Sequence, residues 1–309
     1  MKLFKPKFWD KKKNIISILL LPFSLTLQLV IFLMKKITFK YNCNIPVICI
    51  GNLYLGGTGK TPLSISLAIE LSKIGKKPAI IKKFYSNQYD EHNLINTYTN
   101  YLFLDKKRIN AIRTAESKGH DIAILDDGFQ DYSIKKNLNI LCFNGKQLAG
   151  NEMTIPSGPL RESLNSIKSS QIVVINGNKD FSFEKKITDI SNEIKIFYTK
   201  YVPVNIAEFK NKKLYAFAGI GNPANFFDLL VNNNLDLRKK LEFPDHYEFK
   251  KTEIEKMIKE SSKNGYDIIT TEKDFLRIKK FGFKNISFLK LKLEILEKEK
   301  MIENILNLI

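Results

Sequence analysis

Apolar runs separated by glycine-bounded polar stretches organise most of the chain. Residues 46–52, PVICIGN, form a short apolar strand pattern. A glycine-rich loop follows, and residues 62–75, PLSISLAIELSKIG, then carry helical periodicity that stops at Gly75. KPAIIKKF at 77–84 predicts the next strand, and AIRTAESKG at 111–119 a helix closed by Gly119. DIAILDD at 121–127 is a buried strand ending in two acids, with further strands in LNILCFN at 138–144 and QIVVINGN at 171–178. Strands alternating with helices predict a mainly parallel sheet covered on both faces. A second set begins near Tyr215, with KLYAFAGIG, the helix NPANFFDLLVNNN, then YDIITTEKD and NISFLKLKL. FYTKYVPVNIAEFKNKK, with its alternation and a proline, reads as the connector. The boundaries expected from this pattern are an N-terminal helix at 1–40, a first domain at 41–193, a connector at 194–210 and a C-terminal α/β domain at 211–309.

The N-terminal run breaks the alternation. Residues 15–34, IISILLLPFSLTLQLVIFLM, are long enough to cross a bilayer, with lysines at 11–13 before them and Lys35 and Lys36 after. Ser17, Ser24 and Gln28 are spaced by seven and four, so they share one helix face. That stripe, with Pro22 inside the run, suits a helix lying in the membrane interface. A full span and a buried core helix are the other two readings. Basic residues on both flanks leave the orientation of a span undecided.

Composition narrows the field only in places. The 309 residues are 44% hydrophobic and 27% charged, which suffices for two ordinary cores. The formal charge of +18 fits either a basic face for an anionic partner or a general preference for lysine, since the lysines are scattered. No nucleic-acid-binding signature is present. Cys43, Cys49 and Cys142 lack metal or redox spacing and fit a reduced compartment.

The chemistry is concentrated in two stretches. In YLGGTGKTP, Gly56, Gly57 and Gly59 let backbone amides turn inward around phosphate oxygens at a helix N-terminus. Lys60 reaches the outer phosphates, and the Thr61 hydroxyl is placed for Mg²⁺. The usual pattern has a further glycine at the position of Tyr54, which is absent here. In AILDDGFQD, Asp126 ends an apolar strand some 65 residues after Thr61, the place from which an acid completes the Mg²⁺ shell. Asp127 is an additional carboxylate that can accept a proton from an attacking hydroxyl, provided the strand stops there, as Gly128 permits. A solvated Asp-Asp-Gly turn is the plainer reading of the same residues. Of the three histidines, only His246, in FPDHYEF, becomes a candidate, as a group that tunes such a base.

Together GNLYLGGTGKTP, LDDGFQ, PSGPLRE, FAGIGNPANFF, FPDHY and TTEKD resemble the tetraacyldisaccharide 4'-kinases, the lipid A 4'-kinases of Gram-negative bacteria. The motifs stand in family order over most of the chain, and a Tyr54-type loop without the first glycine belongs to that pattern. The resemblance implies a P-loop-type α/β/α sandwich with a mainly parallel sheet, a second smaller α/β/α domain across a cleft, and a membrane-associated N-terminal helix. It implies transfer of the γ-phosphate of ATP, with Mg²⁺, to the 4'-hydroxyl of an acylated glucosamine disaccharide 1-phosphate, giving lipid IVA in lipid A biosynthesis. The expected place is the cytoplasmic face of the inner membrane, with the membrane surface and the lipid as partners and neither nucleic acid nor an obligate protein partner. Carried over by position, the catalytic residues are Asp127, His246, Lys60 and Asp90. The nucleotide would meet Tyr54, Leu55, Gly56, Gly57, Thr58, Gly59, Lys60 and Thr61, with Gln130, Arg108, Arg161 and Glu162 near the active site; Thr61 and Asp126 would hold Mg²⁺.

The sequence departs from the family at Lys82-Lys83-Phe84-Tyr85-Ser86, which stands for Ser-Arg-Gly-Tyr-Gly, and at Tyr89 and His92, which replace a glycine and a proline. These changes alter the loop on which the resemblance places Asp90. The rival readings are a membrane-associated switch ATPase of the partitioning type and a catalytically impaired nucleotide-binding scaffold. The switch proteins place a signature lysine where Leu55 stands and lack DDGFQ.

Overall fold

The computed structural model describes residues 6–12, 14–85, 89–245 and 247–309. The helices are α1 (Ile15–Leu19), α2 (Leu21–Ile37), α3 (Lys60–Lys73), α4 (Tyr89–Tyr98), α5 (Arg108–Ser117), α6 (Phe181–Ile190), α7 (Pro223–Asn232), α8 (Lys251–Asn264), α9 (Glu272–Ile278) and α10 (Lys298–Leu306). The strands are β1 (Val47–Gly51), β2 (Pro78–Lys83), β3 (Leu102–Asp105), β4 (Ile122–Asp126), β5 (Leu138–Asn144), β6 (Ile172–Asn176), β7 (Lys195–Pro203), β8 (Lys213–Ala218), β9 (Asp236–Glu242), β10 (Asp267–Thr271), β11 (Ile286–Leu289) and β12 (Leu291–Ile295).

Two sheets result. The larger has the order β12-β7-β6-β5-β1-β4-β2-β3, and its strands from β7 to β3 pair in parallel. From β1 the chain travels outward through β2 and β3, returns to β4 beside β1, and then continues on the other side through β5. The carboxyl ends of β1 and its neighbours are therefore a topological switch point, where open parallel sheets hold ligands. Val47 and Cys49 of β1 join Ala123 and Leu125 of β4 and Leu141 and Phe143 of β5 in one core, which α5 and α6 cover with Ala111, Ile112, Phe183 and Ile187. On α3 the residues Leu63, Leu67, Ala68 and Leu71 are buried.

The smaller sheet, β11-β10-β8-β9, is parallel throughout. Its central strand β8 splits its side chains by alternation. Leu214, Ala216 and Ala218 pack with Phe226, Phe227 and Leu230 of α7, while Tyr215 and Phe217 pack with Ile254 and Met257 of α8. A sheet covered on both faces is what the apolar run at 214–218 predicts.

The two compact units divide the chain differently from the expected boundaries. One unit contains 85–98 and 201–292, and the other 5–84, 99–200 and 293–309. Within the former, α4 packs on α9 through Tyr98–Glu272 and Glu91–Lys273 contacts of 2.8 and 2.7 Å. The expected connector at 194–210 begins instead as β7, because Ile196, Phe197 and Tyr198 continue the large sheet beside β6. Residues after 293 return to that unit, where α10 buries Met301 and Ile305.

The N-terminal run requires a correction. It is two helices, not one of twenty residues: Asn14 caps α1, Leu20 separates the pair, and Pro22 opens α2 from its first turn, where a missing amide costs nothing. α2 has 17 residues, about 26 Å at 1.5 Å each, and among the described residues no helix is long and apolar enough to cross a membrane. The polar stripe points inward. Ser17 and Ser24 have no exposed surface; Ser24 donates to Thr154 O at 2.9 Å, and Gln28 to Thr154 Oγ1 at 2.9 Å. The apolar side points outward, with Phe23, Leu29 and Ile37 all more than half exposed.

Candidate active site

The phosphate loop leaves the buried end of β1 and enters α3. Gly59 caps that helix at φ +89° and Gly56 sits at φ +131°, conformations that a side chain would strain. Asn52 organises the loop from within, donating through Nδ2 to Tyr54 O at 2.5 Å and to Gly56 O at 3.2 Å. Tyr54 is buried in the core and bridges Leu160, while the Leu55 amide donates to Pro159 O at 2.8 Å. The residue in place of the first glycine is therefore a packing anchor that pins the loop to the 159–161 segment. Leu55 itself is exposed and Thr58 is buried.

Thr61 and Ser64 lie three apart on α3 and so share a face. Both address Asp126: Thr61 Oγ1 donates to Oδ2 at 2.9 Å and Ser64 Oγ to Oδ1 at 3.3 Å. Asp126 is wholly buried, and Lys82 from the adjacent β2 places its Nζ 2.7 Å from the same Oδ2.

β4 stops at Asp126, and Asp127 turns to φ +56°, a left-handed position that aspartate tolerates better than most residues. The turn sends the second carboxylate away from the first. Asp127 has 31% of its side chain exposed, with Lys60 Nζ 3.8 Å and Arg161 Nη1 3.1 Å from its Oδ1. Burial alone would push this carboxyl up; the Lys60 and Arg161 charges outweigh that effect and hold it below the ordinary aspartate value. Arg108 braces the turn from behind, donating to Asp127 O at 2.7 Å and to Asp131 Oδ2 at 3.0 Å. Its two terminal nitrogens are committed to those acceptors, while Nε is buried without a hydrogen-bond partner.

A polar chain runs on from Asp127. Arg161 donates to Gln130 Oε1 at 3.2 Å, and Gln130 donates to Glu162 Oε1 at 3.1 Å. Glu162 also accepts from Tyr132 at 2.8 Å, from Ser166 at 2.9 Å and from Lys35 of α2 at 2.5 Å. Burial pushes the Glu162 carboxyl up, but the Lys35 and Tyr132 donors prevail and lower it.

The structure thus gathers the loop, Lys60, Thr61, Asp126, Asp127, Gln130, Arg108, Arg161 and Glu162. His246 and the side chain of Asp90 lie outside the described residues. Sequence reasoning missed Lys82, Ser64 and Asn52 as site residues. A lysine inside the apolar strand AIIKK and a serine one turn after Thr61 were the available signals for the first two. The oxygens of Thr61 and Asp126 are hard donors suited to Mg²⁺. The cysteines are free; burial pushes Cys49 up to about 11 and Cys142 up to about 12, so neither supplies a nucleophile.

Against known proteins, residues 16–309 match the family model described as tetraacyldisaccharide-1-P 4'-kinase. The chain is 43% identical to a tetraacyldisaccharide 4'-kinase of Pelagibacter ubique, covering 100% of this chain and 99% of that one. It is 31% identical to the enzyme of that name from Rickettsia typhi, over 96% and 95% of the two chains. Among solved structures, LpxK from Aquifex aeolicus in complex with ATP has the same fold, with a TM-score of 0.71, 23% identity, and 95% and 99% of the two chains covered.

Proposed function

The chain belongs to the tetraacyldisaccharide-1-P 4'-kinase family, and on that premise we propose how its own residues carry the reaction. The activity is ATP-dependent phosphorylation of the 4'-hydroxyl of tetraacyldisaccharide 1-phosphate, giving lipid IVA. The observation that supports the assignment of roles is the fork at the end of β4, where Asp126 turns to Thr61 and Asp127 turns to Lys60 and Arg161.

Phosphoryl transfer asks chiefly for positioning and charge neutralisation. The loop amides and Lys60 bind the phosphates of ATP. Thr61 and Asp126 hold Mg²⁺, which neutralises phosphate charge when bound. Asp127 accepts the proton of the 4'-hydroxyl. A carboxylate held at a low pKa is a weak base, so Lys60 must loosen its hold as it moves to phosphate. Arg161 keeps Asp127 aimed meanwhile, with Gln130 and Glu162 behind it.

The outward apolar face of α2 suits a helix lying on the cytoplasmic surface of the inner membrane, where the acyl chains of the substrate reside. Lys11, Lys12 and Lys36 add attraction to anionic lipid, of order 1 kcal/mol each close to the surface. The test is incubation with labelled ATP and the disaccharide 1-phosphate, followed by lipid chromatography. Label in a bisphosphorylated lipid is expected. ATP turnover stimulated by a protein or DNA, with no labelled lipid, would favour the switch ATPase instead.

A further inference from the structure

Asp126 is already paired with a full positive charge. Lys82 Nζ lies 2.7 Å from Asp126 Oδ2, with 5% and 0% of the two side chains exposed. The same oxygen accepts the Thr61 hydroxyl at 2.9 Å, and Ser64 takes the other at 3.3 Å. Strand order makes this contact: β2 lies beside β4 with Ile81 opposite Leu125, so the next residue of each strand brings the ammonium to the carboxylate. An ammonium is a compact point charge, and buried beside its partner it is screened little by water.

Rigid elements hold all of these groups, and the consequence is electrostatic. A divalent ion approaching Thr61 and Asp126 meets a carboxylate whose charge is cancelled and an ammonium that repels it. Without Lys82 the same carboxylate would be buried and unpaired, an arrangement that recruits a cation strongly.

We propose that Lys82 is a resident cation that holds Asp126 in the absence of nucleotide and thereby makes divalent-ion binding at Thr61 and Asp126 conditional on the phosphates of the nucleotide. Lys82 is a positioning residue: it acts on the ion through Asp126. The inference rests on the reading of Thr61 and Asp126 as the divalent-ion position.

The experiment is Mn²⁺ titration of the full chain, followed by electron paramagnetic resonance, with and without a non-hydrolysable ATP analogue. Wild-type protein is expected to bind Mn²⁺ weakly alone and at least about tenfold more tightly with the analogue. Lys82→Met should tighten Mn²⁺ binding in the nucleotide-free protein by about tenfold or more, and Lys82→Arg, which keeps the charge, should stay near wild type. Thermal melting establishes that the variants fold, and the wild-type comparison stands without them. A tight Mn²⁺ site in nucleotide-free wild type, or equal affinities in wild type and Lys82→Met, would overturn the inference and leave the kinase assignment intact. No Mn²⁺ binding even with the analogue would remove the divalent-ion position, and the inference with it. Product formation in the lipid assay is a separate readout.

Discussion

Asp126 ends β4 fully buried, between hydroxyls of α3 and an ammonium of β2. Asp127, one residue later, is nearly a third exposed and faces Lys60 and Arg161. The partners of Asp126 stand on regular elements fixed by the sheet and α3. The hydrogen-bond partner of the Asp127 carboxylate, Arg161, stands on a loop and leads through Gln130 and Glu162 to Lys35 on α2. The difference assigns tasks: a closed, preorganised carboxylate suits ion holding, and a more accessible one beside Lys60 and Arg161 suits proton acceptance. The φ of +56° at Asp127 makes both possible from adjacent positions.

The largest effect expected from breaking the comparison is at Asp127. Asp127→Asn keeps the shape and removes the acceptor, so the transfer rate should fall by about 10²- to 10⁴-fold in the lipid assay. Asp126→Asn should act on the fold as well. It removes the nearest counter-charge of the buried Lys82 ammonium, whose charge also acts on Asp127, so urea unfolding should show a loss of up to roughly 3–5 kcal/mol. A stability change below about 1 kcal/mol would mean that the other groups around Lys82, Asp127 among them, replace Asp126 as its counter-charge.

How much of this contrast could be read from sequence differs between its two halves. The central strands β1, β2, β4, β5, β6, β8 and β10 were legible because a buried parallel sheet demands continuous apolar runs, and the loop because GGTGKT carries a specific chemistry; β3 and β9, with no such run, were not read, and β7 was read as the connector. The Asp-Asp-Gly stop was legible too. The contact of Lys82 with Asp126 was not, since it depends on β2 lying beside β4, a fact of strand order that no local pattern encodes. The stripe of Ser17, Ser24 and Gln28 was visible as a stripe. Its direction was not, because that depends on Thr154 and Ser157 far along the chain. The membership of α4 was likewise set by distant partners on α9.

A smaller effect sharpens the Asp127 half. Arg161→Ala removes one of the three cations, Lys60, Arg161 and Lys82, that outweigh burial there, so the carboxyl should climb toward its ordinary value. In wild type the folded value is depressed. The stabilisation from this pairing is therefore present above the unfolded value, about 3.9, and is lost as pH falls through the lower folded value. Acid unfolding and the acid limb of the rate profile should both move to higher pH in Arg161→Ala. The rate itself should drop by roughly tenfold for a lost charge-assisted hydrogen bond. Unmoved profiles would show that Lys60 and Lys82 set Asp127 without Arg161.

The smallest effect belongs to the far end of the polar chain. Lys35→Ala removes a donor that is 34% exposed from the buried Glu162 carboxylate, which keeps Tyr132, Ser166 and Gln130 as donors, so the cost should lie between the roughly 0–1 kcal/mol of an exposed pair and the roughly 3–5 kcal/mol of a broken buried one. Transfer should fall only a few-fold, with the nucleotide KM unchanged. A loss as large as that of Arg161→Ala would mean that α2 controls Asp127 directly.

The division of labour is tested most directly by measuring ATP-analogue affinity in the presence of Mg²⁺ and labelled-lipid formation side by side for Asp126→Asn and Asp127→Asn. Asp127→Asn should bind the analogue within about threefold of wild type and form almost no product, while Asp126→Asn should lose Mg²⁺-dependent affinity itself, by about tenfold or more. Full product formation by Asp127→Asn, or equal loss of nucleotide affinity in both variants, would contradict the account.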